Sequence, residues 1–118
     1  MVEHTVKAFD EDITRLRGLI AEMGGLAEVA IQQALQALVQ GDEELAAEVV
    51  ERDAKLDALE TEVDAMAVRI LALRAPMADD LRVVITALRI ASVIERIGDY
   101  SKNIAKRTVA ITQTPPVG

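Results

Sequence analysis

Cysteine and tryptophan are absent from this sequence, and phenylalanine, tyrosine and histidine occur once each. Without cysteine there is no disulfide, no thiolate nucleophile and no Cys-type zinc or iron–sulfur site. The lone His4 lacks the second His or Cys of a usual zinc site, so a capping or solvated role is expected for it. Ser92 and Ser101 have no histidine at helical spacing, which leaves a Ser-His-Asp triad unsupported. Phosphate-cradling and dinucleotide-binding glycine fingerprints are missing as well. With 2% aromatics there are no stacking platforms for single-stranded nucleic acid, and a net charge of −7 argues against a broad phosphate-backbone footprint. Nucleic acid is therefore not an expected partner.

Long apolar runs are lacking too. Arg or Glu interrupts every one well short of the ~20 residues that span a bilayer. Met1-Val2-Glu3-His4 has neither the basic nor the apolar region of a signal peptide. A cytoplasmic location is expected, with membrane association only through partners.

What is present is aliphatic and charged: 51% hydrophobic and 28% charged residues in 118. One domain of that length supports a core of Leu, Ile, Val, Ala and Met. An all-β domain would want more β-branched and aromatic residues and more turn signals.

The apolar residues follow helical periodicity in three long segments. In the first, roughly residues 5–39, Val6, Phe9, Ile13, Leu16, Ile20, Met23, Ala27, Ala30 and Ala34 recur at steps of three and four. Gly24-Gly25 lies inside this segment, each glycine costing about 1 kcal/mol relative to Ala; a close helix approach or a local kink would explain the pair. Gly41 suits a left-handed helix end and Asp42 an N-cap. The second segment, roughly 43–73, has the seam Leu45, Val49, Leu56, Leu59, Val63, Met66, Ile70 and Leu73, interrupted at Arg52. Ala75-Pro76 breaks it, and Pro76 opens the third, roughly 76–110, with Asp79 and Asp80 complementing its dipole. The fold class expected is all-α: an antiparallel bundle of three helices, each of ~30 residues and ~45 Å. It occupies residues 1–111, and residues 112–118, with Pro115-Pro116, read as a linker or tail.

One pattern does not belong to a purely structural bundle. Asp53, Asp57, Glu60 and Asp64 follow steps of four, three and four on the second helix. On the third, Glu95, Asp99 and Asn103 are spaced by four. Such residues share a helix face, and like charges there repel. Acidic rows also occur on ordinary solvated faces, as last-turn cations such as Lys102, Lys106 and Arg107 occur at helix ends. A hard cation would resolve the repulsion, because carboxylate and amide oxygens are the ligands of Mg, Mn, Ca and oxygen-rich iron sites, with Zn also open. Asp53 to Asp57 lies as far before the break as Glu95 to Asp99 lies after it, which puts both pairs at similar heights. Asp53, Asp57, Glu95 and Asp99 are the candidate metal ligands. Asn103, Glu60 and Asp80 are possible additional ligands or supports. Catalytic residues are not expected; hydrolysis by Glu95 and Asp99 lacks a pocket or substrate to support it.

Several stretches are familiar: His4-Thr5 with Ala8-Phe9-Asp10, Met23-Gly24 with Leu26-Ala27-Glu28, and Asp53 with Leu56-Asp57. They continue with Ala72-Leu73-Arg74, Pro76-Met77-Ala78 and Asp80-Leu81-Arg82. Most specific is Glu95-Arg96-Ile97-Gly98-Asp99-Tyr100 with Asn103-Ile104-Ala105. In these the chain resembles the PhoU family, accessory regulators of phosphate uptake. The resemblance implies a three-helix bundle, usually repeated twice per chain where one is found here. It implies metal-binding carboxylate motifs at Asp53 with Asp57 and at Glu95 with Asp99, and Arg96 as a charge-balancing or partner-binding residue. It further implies a non-enzymatic negative regulator of phosphate uptake and of the phosphate-starvation response, contacting the phosphate-transporter ATPase and a sensor histidine kinase. A homodimer could supply the second bundle. The alternative is a purely structural dimerisation bundle whose acidic stripe is only solvated.

Overall fold

The computed structural model describes the backbone of residues 2–113 and the side chains of residues 6–113. Among these residues there are three helices and no strand: α1 (Val2–Gln40), α2 (Glu43–Arg74) and α3 (Asp79–Gln113). They form an up-down-up bundle measuring 74 × 19 × 17 Å. The expected all-α architecture is observed. None of the described helices is long and apolar enough to cross a membrane.

The first corner follows from two residues. Gly41 sits at φ 65°, and the Asp42 N–H then reaches back to the Ala37 carbonyl at 2.9 Å, a Schellman closure of α1. The Asp42 carboxylate accepts the Leu45 N–H at 3.0 Å and so caps α2. The second corner differs from expectation. Pro76 does not open α3; it lies in the link between Ala75 and Ala78, both left-handed at φ 43° and 50°. The chain must reverse there within a few residues, and α3 starts only at Asp79, with Arg82 N–H bonding to the Ala78 carbonyl at 3.0 Å. At the far end α3 continues through Thr112 and Gln113, beyond the expected tail boundary. Gln113 Nε2 donates to Glu43 Oε1 at 2.9 Å, tying the end of α3 to the start of α2. Residues 114–118, including Pro115-Pro116, lie outside the described residues, as does the His4 side chain.

The core lies along the predicted seams, with two exceptions near the open end: Val6 and Leu73 are exposed. There the Arg74 Nε–Asp12 Oδ2 ion pair, 2.9 Å and partly buried, joins α2 to α1 instead. One large apolar cluster runs from Ile13 to Ala27 on α1, Leu56 to Ile70 on α2 and Val84 to Ala91 on α3. A smaller, alanine-rich cluster of Ala34, Ala37, Ala46, Val49 and Ala105 fills the other end. Between them the seam is polar. Arg52 does not interrupt the α2 repeat, since it is exposed and bonds to Gln33 at 2.9 Å. Asp53 takes the core position between Val49 and Leu56.

Small residues set how near α3 comes to its neighbours at this level. Gly98 is buried, and a Cβ built on it would overlap Leu56 Cδ2 and lie 3.6 Å from Asp53 Oδ1. Ser101 and Thr108 are also buried, their hydroxyls donating to the Ile97 and Ile104 carbonyls at 2.8 and 3.1 Å. The expected close approach or kink at Gly24-Gly25 is not where the glycines matter most. α1 runs unbroken through both, a Cβ at Gly24 would meet only Ile94 Cδ1 at 3.8 Å, and one at Gly25 would meet nothing within 4 Å.

These surroundings predict opposite signs for one chemical change. Gly24→Ala and Gly25→Ala each stabilise by about 0.5–1 kcal/mol, from helix propensity. Gly98→Ala destabilises by roughly 1–3 kcal/mol, because Leu56 must leave its rotamer or α3 must move away. Urea unfolding followed by far-UV circular dichroism measures all three.

Candidate functional site

The antiparallel register of α2 and α3 follows from the short second corner, and it brings the two acidic rows together. Paired residues step in opposite directions: Glu43 with Gln113, Asp53 with Lys102, Glu60 with Glu95. Asp57 lies between the last two pairs, within the fields of Asp53, Lys102, Asp99 and Glu95. The similar heights expected from sequence are therefore present in the structure.

The members of the strip have different environments. Asp53 is buried, and Lys102 Nζ approaches its Oδ2 at 3.3 Å from α3. Among the described residues every buried side-chain polar atom has a partner. Lys102 was expected as a last-turn cation. Because α3 runs to Gln113, its last turn holds no basic residue, and Lys102 serves as the counter-ion of Asp53. Asp57 and Asp99 are exposed at the rim, and Glu60 and Glu95 are half-buried.

Crowded carboxylates hold protons more tightly. The Glu60 carboxyl is pushed up to about 7, first by its hydrogen-bonding contact with Glu95, then by burial and by the charges of Glu95, Asp64 and Asp57. Asp57 is raised from the usual carboxylate range by burial and then by Asp53, with Asp99 and Glu95 adding and Lys102 opposing.

The other predicted residues stand apart. Asn103 is exposed one turn beyond Asp99. Asp80 is about 15 residues, or ~22 Å, from Glu95 along α3 and lines a groove with Phe9, Arg74 and Pro76 at the open end. Arg96 is exposed and forms no ion pair among the described residues. Sequence reasoning missed Lys102 as a partner and Gly98 as the glycine whose missing side chain leaves room for Leu56. The Asp53 signal was available, since Val49, Asp53 and Leu56 keep the four-three step of the seam.

The oxygen donors are of the type a hard cation selects, and they lie on one strip. Convergence is lacking: among the described residues no three acidic or histidine side chains gather around one point as a closed coordination shell requires. One oxygen of Asp53 already faces Lys102. The donor chemistry fits a metal; this side-chain arrangement does not form its shell.

The elongated bundle's distinctive chemistry is a surface charge pattern along the α2/α3 side. The PhoU domain profile matches residues 20–108. The chain is 58% identical to the phosphate-specific transport system accessory protein PhoU homolog of Zymomonas mobilis over 106 residues, 90% of this chain and 45% of that protein. It is 42% identical to the homolog of the same name from Caulobacter vibrioides, over 99% of this chain and 51% of the relative. The crystal structure of PhoU from Pseudomonas aeruginosa superimposes with a TM-score of 0.86 at 35% identity, over 89% of this chain and 50% of that one. The chain belongs to the PhoU family and spans about half the length of the relatives it matches. Those relatives carry the name of a transport-system accessory protein, not of an enzyme.

Two outcomes follow from the strip. Lys102→Ala leaves Asp53 buried without its cation and costs roughly 1–3 kcal/mol, less than a fully buried pair because Lys102 keeps part of its surface in water. The double variant Asp53→Leu with Lys102→Met joins the two apolar clusters and is neutral or stabilising; a double-mutant cycle in urea separates these terms. The second outcome concerns pH. A carboxyl raised on folding binds its proton more tightly in the native state, so its contribution to stability is complete below about pH 4.5 and is lost as pH rises through about 7. The melting temperature of the wild type should fall across that window. Glu60→Gln should flatten this fall and melt higher at pH 7.5.

Proposed function

We propose that this bundle is an accessory regulator of phosphate uptake, a cytoplasmic adaptor that damps both the transporter and the phosphate-starvation response. Its partners on this proposal are the phosphate-transporter ATPase and a sensor histidine kinase, it works as a homodimer, and Arg96 is a residue it offers to a partner. Membership of a family whose relatives are named as phosphate-transport accessory proteins carries this proposal.

The acidic strip adds a cation to it. Asp53, Asp57, Glu95 and Asp99 would hold a divalent or trivalent ion, Fe, Mn, Mg or Zn, with Glu60 and Asn103 nearby. The ion would supply positive charge that neutralises the rows. This chain's own part is to set two carboxylate rows at one height and to keep Lys102 as the resident cation until a stronger one displaces it. The spread of the carboxylates favours a second function, an interaction bundle in which the strip is only solvated.

Calorimetric titration with Fe, Mn, Mg and Zn ions in turn decides between them. The expected result is saturable binding that disappears when Asp53, Asp57 and Asp99 become Asn and Glu95 becomes Gln, with helicity retained. A wild-type chain that takes up none of the four metals leaves the solvated strip. The adaptor role is tested separately, by co-purification of the bundle with the transporter ATPase and with the kinase's cytoplasmic part. Binding to neither would overturn it.

A further inference from the structure

The groove between α1 and α2 carries two arginines that the bundle itself does not use. It holds about 450 Å³ near the open end and is lined by Arg15 and Leu19 from α1 and by Met66 and Arg69 from α2. Both arginines are exposed, and neither forms an ion pair among the described residues. Two contacts fix the register of the helices: Asp12 with Arg74 and Gln33 with Arg52, each at 2.9 Å. Counted from either contact, Arg15 and Arg69 stand within two residues of the same height, ~3 Å along the axes. Like charges so placed repel. A groove built only for packing would set a carboxylate opposite each, as Asp12 stands opposite Arg74.

The nearby carboxylates do not neutralise them. Glu11, four residues before Arg15, makes no ion pair with it. Glu62 lines the far end of the groove, seven residues or ~10 Å from Arg69 along α2. Asp12 lines the near end and is already matched by Arg74, which it meets through Oδ2. The pair is partly buried, so the Asp12 carboxylate is held in place one turn from Arg15. Its Oδ1 is not part of that contact and keeps its capacity to accept a hydrogen bond.

We propose that this α1/α2 groove binds inorganic phosphate between Arg15 and Arg69. A carboxylate is filled by the fork of a single guanidinium. Two guanidiniums on different helices suit a tetrahedral dianion, whose oxygens are divided between them. The bound dianion removes the repulsion between the two arginines. The monoprotonated phosphate dianion also keeps one O–H, and Asp12 Oδ1 accepts it. Sulfate and the dianion of a phosphate ester have no such hydrogen, and for them the same oxygen is a repulsive neighbour. The groove thus separates three anions of equal charge by a single donor. Because the arginines are exposed and screened by water, the affinity is modest, with Kd on the order of 1 mM. The site uses no metal, and it lies on the α1/α2 side, away from the acidic α2/α3 strip.

Nuclear magnetic resonance titration of the metal-free, isotope-labelled chain with inorganic phosphate tests it, at constant ionic strength and about pH 8, above the second pKa of a phosphoryl group. The expected result is a saturable shift of the Arg15 and Arg69 side-chain signals, with smaller shifts at Leu19 and Met66. Arg15→Gln and Arg69→Gln should each weaken binding about tenfold, and Arg69→Lys, which keeps the charge and loses the fork, by less. Both arginines are exposed, so these variants keep the helicity of the wild type, read by circular dichroism. Sulfate and glycerol 3-phosphate should bind several-fold more weakly than phosphate. Absence of a saturable shift up to ~20 mM phosphate, or shifts that persist with both arginines changed to Gln, overturns the site. Equal binding of sulfate overturns its assignment to phosphate. Neither result touches the metal or adaptor proposals, because the titration contains no metal and no partner.

Discussion

The near-contact of α2 and α3 at Gly98 organises the rest of the molecule. Leu56 lies where a Cβ of residue 98 would be, and Asp53 lies one turn further along α2. Where Gly98 leaves room for the Leu56 side chain, a charged side chain in the adjacent core position is reached by Lys102 from α3. The same approach brings the more exposed positions of each helix within range of one another, so that Glu60 touches Glu95 and Asp57 feels Asp99. Had residue 98 carried a side chain, either Leu56 would have to leave its place or the helices would have to stand further apart. Helices standing apart would leave the acidic rows as two solvated edges, each with only its own i, i+4 repulsion.

Burial of Asp53 costs stability that two leucines would not. The core is divided by it into a large aliphatic cluster and a small alanine-rich one. What the pair provides is register. In a bundle with an almost purely aliphatic seam, sliding α3 by one heptad along α2 would cost little packing, since Val, Ala and Leu are near equivalents. A buried carboxylate with one cation in reach makes that slip expensive, as a single buried polar residue does in a coiled coil. The Arg74–Asp12 pair performs the same service for α1 against α2 at the open end.

Much of the fold was legible because helical periodicity and corner chemistry agree. The seams located most of the core, and Gly41-Asp42 defined the first corner nearly to the residue. The second corner was less legible, because proline fits both a first helical turn and a link, and the choice is set by how sharply two long helices must reverse. Glycine was misleading for a related reason. Gly24-Gly25 draws the eye as a pair, while Gly98 looks like one motif residue among several. Only the neighbouring helix distinguishes free space from overlap. For the site, spacing and distance from the break were enough to predict that the two rows meet. They were not enough to assign Lys102, since a cation in the second half of a helix has several ordinary uses.

The charge distribution then separates the functions of the long faces. α2 carries nine acidic and four basic residues, and α3 four acidic and six basic. Most of the net charge therefore lies on the side where the carboxylate rows face each other, and the outer side of α3 is left with arginines and exposed aliphatics. Two molecules of net charge −7 repel at long range. Any face by which they associate must turn the acidic helix away and offer complementary charges at its edge. The α1/α3 side, with the acidic rows behind it and arginines along its α3 edge, meets the first of these conditions. The chain order that joins α1 to α3 through α2 thus determines both which carboxylates are brought together and which aliphatic face is left exposed.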